Sequence, residues 1–232
     1  VPDLKRGGPP PVDLGRLEAE LRGMLADILY GDFMTRAVPE AMRRLHDIAL
    51  SGNGEPTSAA EFPAVIDLIG RLLDEFALSG RIKVVLISNG SLIRRAAVRA
   101  GLRRLAELGG EVWFKIDRAS AEGCRLVNQT ETTPERIWRN LKLCAERCPT
   151  WVQTCLFGLD GKPPEADEIE AYLDLLRRAV GAGLPLRGVL LYGLARPSTQ
   201  PEAPRLGRLP EAWLEGLAER VRGLGLNARA FP

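Results

Sequence analysis

The chain has 232 residues, 45% of them apolar, and a net charge of +2 at neutral pH. That apolar content supports a domain with a real core, while so small a net charge excludes a global basic field of the kind that draws proteins to nucleic acid. No apolar run of about 18 residues is present, so no membrane span is expected. The opening VPDLKRGGPPPVD has no signal-peptide apolar core, and a cytoplasmic protein is expected.

Residues 1–46 form a leading segment that opens with an amphipathic helix. Leu14, Leu17, Leu21, Met24/Leu25 and Ile28 recur there at helical spacing. Residues 47–232 alternate short apolar runs with further amphipathic helices. Strands are expected at 47–51, 82–88, 111–116, 151–157 and 187–192, with a weaker one at 227–231. Their centres, as in KVVLIS and GVLLY, are almost continuously apolar, which suits parallel strands covered on both faces. One intervening helix carries Phe62, Val65/Ile66, Ile69, Leu72/Leu73 and Phe76. Others are expected at 92–108, 134–147, 167–180 and 210–224. Ser58 with Glu61 fits a capping box, and Thr133 precedes Pro134 as an N-cap precedes a first-turn proline.

A helix followed by five βα units and a last strand makes an α/β fold. The opening helix has no strand before it. A first strand is therefore expected to be missing, and the sequence is expected to be a piece of a longer protein.

In parallel α/β folds, ligands bind beyond the C-terminal ends of strands. Gly52-Asn53-Gly54-Glu55-Pro56 follows the first expected strand, and Ser88-Asn89-Gly90-Ser91 the second. The third ends in Phe114-Lys115-Ile116-Asp117-Arg118, the fourth carries Gln153 and Thr154, and the fifth leads into Tyr192-Gly193-Leu194-Ala195-Arg196-Pro197. Taken singly, these are ordinary turns and strand exits. Taken together, polar groups at five successive strand ends favour a ligand site. Exposed carbonyls around Gly52 and Gly54 suit an ammonium group, Lys115 a carboxylate, and Asn89 and Asp117 ribose hydroxyls. That inventory describes S-adenosylmethionine. The single His46 leaves no His-rich metal site and no Ser-His-Asp triad. Cys124, Cys144, Cys148 and Cys155 read as small buried apolar residues in a reducing compartment.

ALSGNGEPT, VVLISNGSLI and VWFKIDRAS resemble, in order and spacing, the central part of a radical S-adenosylmethionine enzyme, over about Asp47 to Arg196. The resemblance implies a partial (β/α)6 TIM-like barrel. It also implies a Gly-Gly-Glu-Pro type loop for the methionine ammonium, represented here by Asn53-Gly54-Glu55-Pro56. Ser88, Asn89, Lys115 and Asp117 take the carboxylate and sugar by the same resemblance, Gln153 joins the cofactor-binding set, and residues 194–197, with Leu194 and Arg196, resemble an adenine-side wall. The implied activity is reductive cleavage of S-adenosylmethionine to a 5′-deoxyadenosyl radical that acts on an unknown substrate. The implied partners are an electron donor such as flavodoxin or ferredoxin, with tRNA as one substrate option and no membrane. The family's Cys-x3-Cys-x2-Cys segment, which holds a [4Fe–4S] cluster, has no counterpart; Cys144 and Cys148 followed by Cys155 have the wrong last spacing. The alternatives are a non-catalytic binding module derived from such an enzyme and an unrelated doubly wound α/β protein.

Overall fold

The computed structural model describes residues 9–52, 54–194 and 201–232. In chain order the elements are α1 (Leu14–Tyr30), α2 (Phe33–Ala37), β1 (Asp47–Leu50), α3 (Phe62–Glu75), β2 (Lys83–Ser88), α4 (Ala96–Glu107), β3 (Glu111–Lys115) and α5 (Ala121–Asn128). They continue with α6 (Pro134–Ala145), β4 (Thr150–Cys155), β5 (Gly158–Leu159), α7 (Ala166–Gly181), β6 (Leu186–Tyr192), β7 (Leu206–Gly207), α8 (Glu211–Arg222) and β8 (Ala228–Phe231). The main sheet is parallel, six-stranded and not closed, in the order β1-β2-β3-β4-β6-β8. This is the expected α/β fold of partial-barrel type. Among the described residues, no helix is long and apolar enough to cross a membrane.

The chain divides into two compact units. The first spans residues 9–87 and Leu92–Glu111. Asp13 caps α1 by accepting from the Arg16 amide at 2.9 Å, which satisfies one of the helix's unpaired N–H groups. β1 pairs with β2 from Asp47↔Lys83 to Leu50↔Leu86. Phe62, Ile66, Leu72, Val84, Leu102 and Leu105 are buried in the core of this unit.

The expected capping box is not formed. Ser58 instead ends a short 3-10 turn, Pro56–Ser58, and α3 begins four residues later at Phe62. A helix capped by Ser58 would hold Pro63 in its interior, where proline lacks the N–H and its ring meets the preceding turn. Starting at Phe62 places that proline in the first turn, where it is tolerated. Residues 92–95, expected as the start of a helix, form a separate turn that ends at Arg95 in extended conformation, and α4 begins at Ala96.

The second unit comprises Ser88–Ser91 and Val112–Pro232. β3 pairs with β4 from Val112↔Thr150 to Lys115↔Gln153. β4 pairs with β6 and β6 with β8, all in parallel. The β4–β6 register shifts between Thr150 and Trp151. Gly188 sits at that shift with φ +144°, and a methyl group there would overlap the Asn227 carbonyl and the Trp151 ring. Thr133 caps α6 through the Arg136 amide with Pro134 in the first turn, as expected. Helix α5 and the antiparallel β5–β7 pair were not among the expected elements.

Candidate functional site

Successive residues of a strand face opposite sides of its sheet. On β4, Thr150 and Thr154 face the helices: Thr154 Oγ1 lies 2.8 Å from the Tyr172 hydroxyl of α7, and Thr150 Oγ1 lies 3.5 Å from the Cys144 sulfur of α6. Trp151, Gln153 and Cys155 therefore occupy the other face. In register, Lys115, Gln153, Leu190 and Arg229 form one row, and Cys155, Tyr192 and Phe231 the next.

Gln153 is only 9% exposed, and its fully buried side-chain oxygen has no hydrogen-bond partner among the described residues. Leaving such an acceptor unmet costs about 1–3 kcal/mol. The Cys155 and Tyr192 side chains are close enough for each to influence the other's titration. Burial, reinforced by the Asp117 charge, pushes the Cys155 thiol up to about 11. Burial likewise raises the Tyr192 phenol above its usual range.

Asp117, just past β3, is the centre of this end of the sheet. Its Oδ1 accepts from the Cys155 amide at 3.0 Å and its Oδ2 from the Asn128 side chain at 3.1 Å. Lys115 Nζ stands 3.6 Å from Oδ2. The carboxylate thus joins β3, β4 and α5, and keeps lone-pair capacity for one further donor. Arg118 is 7% exposed. Its Nη1 donates to the Asp117 carbonyl at 2.6 Å and more loosely to the Cys155 carbonyl at 3.5 Å. Its guanidinium lies 5.1 Å above the Phe157 ring. Burial holds it below its ordinary pKa. Glu168, from α7, accepts from the Ala119 and Ser120 amides at 2.8 and 3.3 Å and from the Ser120 hydroxyl.

After β2, the buried Ser88 accepts from the Gly90 amide at 3.0 Å, and the Asn89 side chain accepts from Ser91 at 2.8 Å. Gly90 has φ +65°, and a methyl group there would overlap the Phe114 ring. The two hydrogen bonds and this close approach fix the turn against β3. The half-buried Leu194 ends the described residues after β6. Arg196 lies outside the described residues, as does Asn53.

In the other unit, the loop after β1 leaves Gly52 and Gly54 exposed. Glu55 accepts from the Thr57 amide at 3.2 Å and the Thr57 hydroxyl at 2.5 Å, so its side chain fixes the loop in front of Pro56–Ser58. The structure therefore joins Ser88, Asn89, Lys115, Asp117 and Gln153 within one unit, whereas Gly52, Gly54, Glu55 and Pro56 belong to the other. Tyr192 was named from the sequence only as a strand end, and Phe231 only as part of an expected strand; their place in the row emerges from the β4–β6–β8 register.

Among the described residues, no group of three or more His, Cys, Asp or Glu side chains is disposed to hold a metal ion. Cys124, Cys144 and Cys148 are buried and Cys155 is half-buried, and they form no such group, so the cysteines of this chain do not fit a [4Fe–4S] cluster.

No protein-family model and no curated protein matches the sequence. Among solved structures, the chain is similar to a structure of TYW1 with a lysine-pyruvate adduct bound, at a TM-score of 0.56 and 18% identity, covering 90% of this chain and 61% of that one. It is also similar to a crystal structure of a radical SAM methyltransferase from Sphaerobacter thermophilus, at a TM-score of 0.57 and 18% identity, covering 89% of this chain and 56% of that one. The chain therefore spans less than two thirds of the length of these structures. At this identity the likeness is one of fold alone: the chain shares the α/β, partial-barrel fold of these two structures.

Proposed function

We propose that this chain is the S-adenosylmethionine-binding part of a radical S-adenosylmethionine enzyme, with its cluster ligands supplied outside this sequence. The observation that carries the proposal is the buried Gln153 oxygen, which has no partner among the described residues. It stands in register beside Lys115, on the sheet face away from the helices. An acceptor kept dry without a partner is what a ligand's N–H or O–H would satisfy.

In this proposal Lys115 meets the ligand carboxylate, and Asp117 and Asn89 meet ribose hydroxyls, with Ser88 shaping the turn that presents Asn89. The resemblance assigns the ammonium group to Gly52, Asn53, Gly54, Glu55 and Pro56, and the adenine to Leu194 and Arg196. When bound with a reduced cluster, S-adenosylmethionine supplies a 5′-deoxyadenosyl radical; the residues of this chain bind and orient it. A flavodoxin or ferredoxin is the proposed electron donor, in the cytoplasm. The substrate stays open, with tRNA one option.

Calorimetry with S-adenosylhomocysteine on this chain tests the binding. A dissociation constant on the order of 0.1 mM or weaker is expected, about −5.5 kcal/mol or less favourable, because neutral hydrogen bonds contribute only about 0.5–1.5 kcal/mol each. Asp117→Asn should weaken binding further. No heat at millimolar ligand, or equal binding by the variant, refutes the assignment. Iron analysis of anaerobically reconstituted full-length protein separates the two related functions: about four irons per chain mark the enzyme, and ligand binding without iron marks a non-catalytic module.

A further inference from the structure

We propose that one flank of α4 is a docking surface for the sugar–phosphate backbone of a nucleic-acid duplex. Between Glu75 and Glu107 the sequence has seven Lys and Arg residues and not one Asp or Glu. The net charge of +2 conceals this block, and a local field does not need a global one. Part of the block is neutralised. Lys83 pairs with Glu111, and Arg104 with Asp67 and Glu107. Those three carboxylates are thereby committed. Arg94, Arg95, Arg99 and Arg103 have no carboxylate within ion-pairing distance among the described residues.

The helix sorts the paired arginine from the unpaired ones. Its buried face is Val98, Leu102 and Leu105. At about 100° per residue, Arg104 falls on one flank of that face, where it meets Asp67 of α3 at 2.9 Å. Arg95, Arg99 and Arg103 fall on the other flank, within an arc of about 80° and about 6 Å apart along the axis. Arg95 and Arg103 are exposed, and Arg99 is half-buried. The exposed Arg94 is held beside them, its carbonyl accepting from Arg99 Nη1 at 2.8 Å.

Spacing and chemistry name the occupant. A row of cations at regular intervals matches a polyanion whose charges also recur at regular intervals, as phosphates do. Guanidinium forks donate to phosphate oxygens in pairs. The exposed residues between the arginines are Ala96, Ala97 and Ala100, which let a backbone come close. Residues 92–107 contain no Phe, Tyr or Trp. Nothing in the stripe therefore stacks on an unpaired base or anchors in a lipid surface, which selects a duplex over a single strand or a membrane. Such contacts position a nucleic acid and do not read its sequence. The inference uses nothing of the proposed cofactor site.

The test is fluorescence anisotropy of a labelled duplex of about 20 base pairs and arbitrary sequence, titrated with this chain at about 50 to 200 mM salt without S-adenosylmethionine. Four phosphate contacts should give a slope of about −3.6 in log K against log salt, a loss of roughly 150-fold over that range. Arg95→Gln with Arg103→Gln should halve the slope and weaken binding at least about tenfold at the lower salt. Both side chains are exposed, so this variant should melt with the parent. Arg16→Gln with Arg177→Gln removes the same charge from arginines that are already ion-paired, and should leave binding within about twofold. Absence of binding at the lower salt, or equal loss in the two double variants, overturns the surface. Tighter binding of a single strand overturns the duplex. Equal affinity for polyglutamate of the same charge would make the partner an acidic peptide and overturns the nucleic acid.

Discussion

Gly54→Ala separates a glycine needed by the fold from one needed by a ligand. A methyl group at Gly54 meets nothing within 4 Å, and Gly54 is not among the residues with positive φ. On protein grounds alone, alanine is accommodated there, and by restricting the unfolded chain it should leave stability unchanged or raise it by up to about 1 kcal/mol. If the loop backbone approaches an ammonium group, the same methyl stands in the ligand's path. Binding of S-adenosylhomocysteine should then weaken at least about tenfold, or ~1.4 kcal/mol. Gly90→Ala is the opposite control. Its positive φ costs an L-residue about 1–2 kcal/mol, and overlap with Phe114 adds about 1–3 kcal/mol of overpacking. The melting temperature should fall by roughly 4–20 °C for a chain of this size. Thermal melts and calorimetry on both variants are the assay. A Gly54→Ala chain that binds as well as the parent would refute the close approach, and one that melts as early as Gly90→Ala would refute the claim of open space.

Tyr172→Phe and Thr154→Val should each destabilise by about 1–3 kcal/mol, since each leaves a buried hydroxyl without its 2.8 Å partner. In urea titrations the double variant should cost less than the sum; additivity would mean that the two hydroxyls are satisfied separately. Alkylation of Cys155 by iodoacetamide should keep rising to about pH 11, because burial raises its thiol and the thiolate is the nucleophile. A plateau near pH 9 would contradict that environment. The sign for stability follows: the folded chain keeps this proton after the unfolded chain has lost it, so stability should decline from about pH 9 to about pH 11 in proportion to the shift. Arg178→Ala should destabilise by about 1 kcal/mol, as it removes an exposed pair with Glu135 and a guanidinium 4.5 Å above Trp138. Arg178→Lys should recover less than half, because an ammonium does not stack.

The strands were legible because burial on both faces leaves a plain apolar signature: KVVLIS and GVLLY became β2 and most of β6. Thr133-Pro134 was legible because an N-cap and a first-turn proline act within four residues. Ser58–Glu61 misled for the complementary reason, since the motif was intact but Pro63 barred the helix it would start. Helix α5 was not legible. It is short and contains Gly123, and the carboxylate above its first turn comes from Glu168 on α7, nearly fifty residues on. A methyl group at Gly123 would overlap that carboxylate, so the glycine that reads as a helix breaker is what admits the long-range cap.

Asp117 shows why a site residue and a structural residue are not exclusive categories. Its carboxylate receives a β4 amide, an α5 side chain and, at longer range, a lysine, so it would be needed to close this end of the sheet with no ligand at all. Those same bonds immobilise it, and an immobilised carboxylate recognises a hydroxyl without further loss of side-chain freedom. The commitment also limits what it can do. With Oδ1 and Oδ2 both accepting, it has room for one further donor only, and its charge is shared between Lys115 and the buried Arg118. In the proposed function the two acceptors at this strand end therefore differ in kind: Asp117 is held in place by bonds already made, whereas the Gln153 oxygen is marked by the bond it lacks among the described residues.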